Sequence, residues 1–99
     1  RRAAEFYRQG AEAGDSLGWV LLGDLFVEGK GVEQDFTEAA RLFRKAVEVN
    51  DPEGMVRMGR LFENKAAPKR DPQEAFRWYK RAADLGDSAG IAGLGHCYL

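Results

Sequence analysis

An all-α solenoid of antiparallel helix pairs is the fold class this sequence predicts, and three observations predict it. The chain matches itself when shifted by 36 residues: "FYRQGAEAGD" from Phe6, "LFRKAVEVND" from Leu42 and "WYKRAADLGD" from Trp78 align without a gap. A period of that size is the mark of stacked helical units. Within a unit the apolar residues fall on one helical face, with Ala39, Leu42, Phe43, Ala46 and Val47 at i, i+3, i+4, i+7 and i+8. Aspartates and glycines recur at the points where helices should start and stop.

The elements follow in order. Residues 1–14 read as the second helix of a unit, closed by Gly14, which is equivalent to Asn50 and Gly86. Gly and Asn enter the left-handed conformation most easily, so all three mark helix C-termini. Asp15 caps a helix over Ser16–Glu28. Asp35 starts the next, with Glu38 three residues later in capping-box spacing, as Glu74 stands to Asp71. After Asn50, Asp51 caps a fourth helix and Pro52 takes its first position, where a missing N–H costs nothing. Met55, Met58, Leu61 and Phe62 point this helix inward. Asp71-Pro72 repeats the start signal, and Gly86-Asp87 opens a sixth helix. The expected division is 1–14, 15–50, 51–86 and 87–99, two whole units between two half units. Stacked units bury their faces only against neighbours, so apolar surface is expected at one or both solenoid ends, to be covered by flanking sequence or by self-association.

Gly18, Gly23, Gly54, Gly59, Gly90 and Gly95 lie inside these helices. Each costs about 1 kcal/mol relative to Ala. Close helix–helix approach on the packed side is the expected compensation. By the same periodicity, Trp19 and Trp78 fall on packed faces.

Composition excludes several roles. The 99 residues are 44% hydrophobic, enough for one domain with a core. Fifteen basic and 16 acidic residues give a net charge of -1, which argues against a nucleic-acid surface. No apolar run approaches the roughly 20 residues of a membrane span, so membrane insertion is not expected. A single cysteine allows no intrachain disulfide. The chain begins at Arg1, so a missing secretion signal carries no weight.

Candidate chemistry is sparse. His96 and Cys97 are adjacent, and adjacent helical positions do not face each other. By equivalence Cys97 matches Leu25 and Leu61, a core position, and His96 matches Asp24 and Arg60, a surface one. One His and one Cys are too few for a zinc site. Asp15, Asp35, Asp51, Asp71 and Asp87 serve as caps, leaving no carboxylate pair for acid–base catalysis. Lys65, Lys69 and Arg70 form a small basic cluster in a loop, for which a solvated loop is the plainer reading and a phosphate or acidic-motif site the sharper one. Gly29-Lys30-Gly31-Val32 has the look of a phosphate loop, yet it follows a helix rather than a strand and lacks the full glycine pattern. It reads instead as an inter-helix joint.

The pattern Ala39…Phe43-x-x-Ala46…Asn50-Asp51…Met58-Gly59-x-x-Phe62, with Leu22-Gly23-x-x-Phe26-x-x-Gly29-x-Gly31-Val32-x-x-Asp35, resembles the Sel-one-like repeat (SLR), a relative of the tetratricopeptide repeats. Two departures stand out: Lys65, Ala67 and Pro68 replace Gly29, Gly31 and Val32, and glycines occupy positions 18, 54 and 90. The second joint should therefore take a different path. The resemblance implies a right-handed α/α superhelix whose concave side is lined by the first helix of each unit. It implies a protein–protein interaction scaffold or adaptor, with no catalytic activity and no cofactor. Disulfide-rich members have been linked to antibiotic hydrolysis, but their paired cysteines are missing here.

At 100° per residue the non-core stripe of the first-type helices is Leu17, Leu21, Asp24 and Glu28, then Glu53, Arg57, Arg60 and Asn64, then Ala89, Gly93 and His96. These positions do not repeat their chemistry. Positions that vary through the array are free to serve a partner. The mixture suits a peptide or protein segment with an apolar anchor and an acidic group; the other reading is an ordinary solvated face. Alternatives of other kinds are a non-catalytic repeat region of a larger enzyme or signalling protein, and an RNA-binding helical repeat.

Overall fold

The computed structural model describes residues 2–98, which form six helices: α1 (Arg2–Glu12), α2 (Ser16–Glu28), α3 (Phe36–Glu48), α4 (Pro52–Glu63), α5 (Pro72–Asp84) and α6 (Ser88–Tyr98). Arg1 and Leu99, which the sequence reading assigns to the two terminal helices, lie outside the described residues.

Every aspartate read as a cap is one. The Asp15 carboxylate accepts from the Leu17 N–H at 3.1 Å, Asp35 from Glu38 at 3.0 Å, and Asp51 from Glu53 at 3.0 Å. Asp71 accepts from Gln73 and Glu74 at 3.1 and 3.2 Å, and Asp87 from Gly90 at 3.0 Å. The capping boxes are not closed, however. The Asp35 N–H donates to the Phe26 carbonyl at 2.9 Å, and the Asp71 N–H to the Phe62 carbonyl at 2.8 Å. Those carbonyls end the preceding helices, so each joint satisfies one orphan donor and one orphan acceptor together. Glu38 and Glu74 have no backbone donor left to serve. They bind Arg41 and Arg77 one turn on, the closest approaches being 2.6 and 2.8 Å.

The stop signals also hold. Gly14, Asn50 and Gly86 have φ of 82°, 62° and 81°, and Gly29 is left-handed at 69°. In the first joint Val32 packs against the cluster of Ala4, Leu22, Leu25 and Leu42. The second joint does take another path. Asn64 is extended with φ of -66°, and its side-chain oxygen accepts from the Ala66 N–H at 2.9 Å.

Consecutive helices pack on one another along the whole chain. In addition α4 meets both α2 and α6, whereas α1, α3 and α5 do not meet among themselves. The first-type helices therefore make a close inner layer and the second-type helices a splayed outer one. The shortest extent of the Cα trace, 17 Å, is what two helix layers occupy.

Having neighbours on four sides, α4 buries more than one stripe. Val56, like its equivalent Val20 in α2, is at most 1% exposed although neither belongs to the stripe read from sequence. Phe43, Met55 and Met58 complete the deepest core.

The helix glycines have a steric cause. A Cβ on Gly23 would lie 2.4 Å from the Phe43 ring, and one on Gly59 would lie 2.7 Å from the Tyr79 ring. At Gly18 it would meet the backbone of Gly10 and Ala11 at 2.6–2.7 Å. Gly54 and Gly90 are similarly crowded. Gly95 is not: nothing lies within 4 Å, because no further helix packs there among the described residues. Gly93, placed on the open stripe by sequence, instead has the Tyr79 ring 2.4 Å from where its Cβ would be.

Both tryptophans are partly buried. Trp19 Nε1 donates to the Ala11 carbonyl at 2.9 Å, whereas the buried Trp78 Nε1 has no hydrogen-bond partner. At the two ends of the stack, Phe6 is 74% exposed and Ile91 56%, although their equivalents Leu42 and Met55 are 2% and 1% exposed. The end faces are thus apolar and open in the isolated chain.

Candidate functional site

The inner layer carries the stripe expected to meet a partner. Leu17 is exposed at the start of α2 and Leu21 is half-buried one turn later. On α4 lie Glu53, Arg57 and Arg60, with Asn64 just past its end; His96 is exposed on α6. The structure gathers Asp24, Glu28, Arg57, Arg60 and Asn64 around one cavity of about 280 Å³, floored by Val27, Phe43 and Leu61. Leu17, Leu21, Glu53 and His96 lie outside its lining.

The charges in this cavity are not equivalent. Arg57 Nε donates to both Asp24 carboxylate oxygens, at 2.9 and 3.1 Å, and Arg57 Nη2 lies 3.5 Å from Glu53. Its side chain is only 18% exposed. Arg57 therefore ties α4 to α2 rather than standing free. Burial pushes the Asp24 carboxyl above its ordinary value, and the Arg57 guanidinium offsets this only in part. Glu28 lies 3.5 Å from Lys30 at the exposed end of α2. Asn64 spends its carbonyl oxygen on the Ala66 N–H. Arg60 remains: it is exposed and makes no ion pair among the described residues.

Sequence reasoning missed a polar contact beside this stripe. The Tyr79 hydroxyl donates to Glu63 Oε1 at 2.5 Å, and His96 Nε2 lies 3.9 Å from Glu63 Oε2. Burial, then the Glu63 hydrogen bond, push the Tyr79 hydroxyl well above its usual pKa. Burial also raises the Cys97 thiol, which packs partly buried against the Met55 and Tyr79 cluster. That places Cys97 away from thiolate chemistry. The available signal was the 36-residue shift itself: Glu63 and Tyr79 replace Val27 and Phe43 together.

The Gly29-Lys30-Gly31-Val32 loop does not present a phosphate cradle. The N–H groups of Gly29 and Lys30 both donate to the Leu25 carbonyl, at 2.7 and 3.1 Å. The loop also sits at the C-terminal, negative end of α2. Among the described residues no three His, Cys, Asp or Glu side chains are placed to hold a metal ion, and no helix is long and apolar enough to cross a membrane.

Comparison with known proteins agrees with this architecture. The model of the family described as Sel1 repeat matches residues 1–15, 20–51 and 52–87. A Sel1 repeat protein from Oxalobacter formigenes is 40% identical with a TM-score of 0.79, over 98% of this chain and 40% of that one. A protective antigen of uropathogenic Escherichia coli strains, displaying an SLR fold, is 36% identical with a TM-score of 0.79, over 96% of this chain and 20% of that one. Helicobacter pylori cysteine rich protein B shares the fold, with a TM-score of 0.73 at 24% identity over 90% of this chain and 67% of that one. The chain thus spans less than half the length of the first two. No curated protein sequence matches it.

Proposed function

The chain belongs to the Sel1 repeat family, and from that membership we propose that it binds a peptide or protein segment along the inner face of α2, α4 and α6. Sel1 repeat proteins are generally non-catalytic, protein-interaction scaffolds. The observation that carries the inner-face reading is the state of Arg60. It is the exposed cation of a cavity whose other charges are matched or spent, and Leu17 is an exposed apolar group on the same face. An acidic group on Arg60 with an apolar anchor near Leu17 is the arrangement this face suits.

The test is comparative capture. Immobilised wild-type chain and the Arg60→Glu and Leu17→Asp variants are exposed to the same extract, and retained proteins are quantified. Proteins held by wild type should be lost from both variants, with unfolding temperatures nearly unchanged. Retention of the same set by Arg60→Glu would sink the inner-face reading.

A further inference from the structure

The second joint has a feature that the inner face does not use. Where α3, α4 and the 64–71 loop meet, a cavity of about 190 Å³ opens to solvent. Its walls are Phe36, Ala40, Met58, Phe62 and Pro68, with Arg44 and Lys69 at its rim and no carboxylate in its lining. The equivalent cleft at the first joint is different: Ala4, Gly31 and Val32 line it together with Arg8 and the carboxylate of Glu5. The loops diverge in charge as well. Gly29 to Gln34 carry Lys30 against Glu33, whereas Lys65 to Arg70 carry three cations and no anion.

Those cations are unmatched. Arg44, Lys65, Lys69 and Arg70 are all exposed, and none makes an ion pair among the described residues. Elsewhere Arg41, Arg57, Arg77 and Lys80 each have a carboxylate partner. Unmatched cations around an apolar pocket specify the partner's chemistry. The pocket is below the roughly 300 Å³ at which small-molecule sites begin, so it fits one side chain rather than a whole ligand. The surrounding charge requires acidic neighbours on the molecule that supplies that side chain.

We propose that the α4–α5 joint is a second docking site, taking an acidic peptide segment that inserts one leucine or phenylalanine between Phe36, Ala40, Met58 and Pro68. The proline is part of the device. It stands on the wall of the cavity at the position that Val32 holds in the first joint, and it disfavours the helical conformation at Ala67. Arg60 is not in the lining of this cavity, although Leu61 lines both, and the proposal does not rest on the inner-face reading.

The test uses the intact chain and three labelled synthetic peptides: Glu-Glu-Asp-Phe-Glu-Glu, the same peptide with Ala for Phe, and the same peptide with Lys for each acid. Binding is read by fluorescence polarisation at 50 mM and 200 mM salt, with amide chemical shifts to locate it. The acidic Phe peptide should bind, weaken at the higher salt, and shift amides of α3 and residues 64–71. Affinity should fall tenfold or more with Lys69→Glu/Arg70→Glu, and equally with Ala40→Phe, which fills the pocket. Arg60→Glu should leave it unchanged. Circular dichroism confirms that each variant is folded; the charge variants alter only exposed side chains, so they keep the test valid should Ala40→Phe misfold. The proposal is overturned if no peptide binds, if the Ala peptide binds as tightly as the Phe peptide, or if Arg60→Glu abolishes binding. Equal, charge-dependent binding of phosphatidylserine vesicles or of an RNA oligonucleotide would also overturn it, since neither requires the pocket.

Discussion

The Tyr79 hydroxyl donates a hydrogen bond to the Glu63 carboxylate at 2.5 Å, and one repeat earlier the same two positions are Phe43 and Val27. An apolar contact in one unit has become a polar one in the next, with both partners changed. Each state is self-consistent; a mixture of the two is not, because the buried Tyr79 hydroxyl or the half-buried Glu63 carboxylate then loses its hydrogen bond.

Tyr79→Phe should destabilise the chain by about 1–2 kcal/mol, and Glu63→Val by a similar amount. The double variant, which recreates the first unit's pair, should cost less than the sum. Urea denaturation of the four proteins measures the coupling, and strict additivity would refute it.

The same bond sets an alkaline limit. The Tyr79 hydroxyl has its pKa raised in the folded state from the ordinary 10.0, so its contribution is complete below about pH 10 and is lost as pH rises above it. Unfolding temperatures between pH 8 and pH 11.5 should fall more steeply for wild type than for Tyr79→Phe.

Arg57 and Arg60 should separate sharply. Arg57 joins α4 to Asp24 on α2 with its side chain 18% exposed, so Arg57→Met leaves a half-buried carboxylate unmatched and should cost about 1–3 kcal/mol. Asp24→Asn should cost less, since burial already disfavours that charge. Arg60→Glu should be within about 0.5 kcal/mol of wild type. Because the Asp24 carboxyl is raised in the folded state, its ionisation opposes folding as pH rises; Arg57→Met should recover stability as pH falls toward 4. Chemical denaturation at pH 7 and pH 4.5 decides the matter.

Glycine replacements should change sign along the chain. Gly18→Ala puts a Cβ 2.6 Å from the Ala11 backbone nitrogen and should cost about 1–3 kcal/mol. Gly95→Ala meets nothing within 4 Å and should gain about 0.5–1 kcal/mol from helix propensity alone. Thermal melts of the two variants against wild type are sufficient.

At Asn50, φ of 62° is a conformation that most side chains resist. Asn50→Ala should cost about 1 kcal/mol, and Asn50→Gly should be neutral or slightly stabilising. A melt of Asn50→Ala as stable as wild type would show that the turn relaxes.

The sequence by itself determined what depends on local spacing: the 36-residue unit, the six helices, their aspartate caps and their left-handed stops. The unit is written as a repeat along the chain; the helices, caps and stops are each written within a few neighbouring residues, and backbone hydrogen bonding enforces them. Tertiary structure decided what depends on distance across the stack. It buried Val56 by giving α4 four neighbours, and it set nothing against Gly95 among the described residues. It matched Arg57 with Asp24, 33 residues away, and so removed Arg57 from the free surface charge that periodicity had assigned it. It also turned Glu38 from its cap toward Arg41, because the Phe26 carbonyl had already taken the donor. Helical periodicity assigns a side chain to a face, but which groups meet across two faces is set by how closely the helices approach.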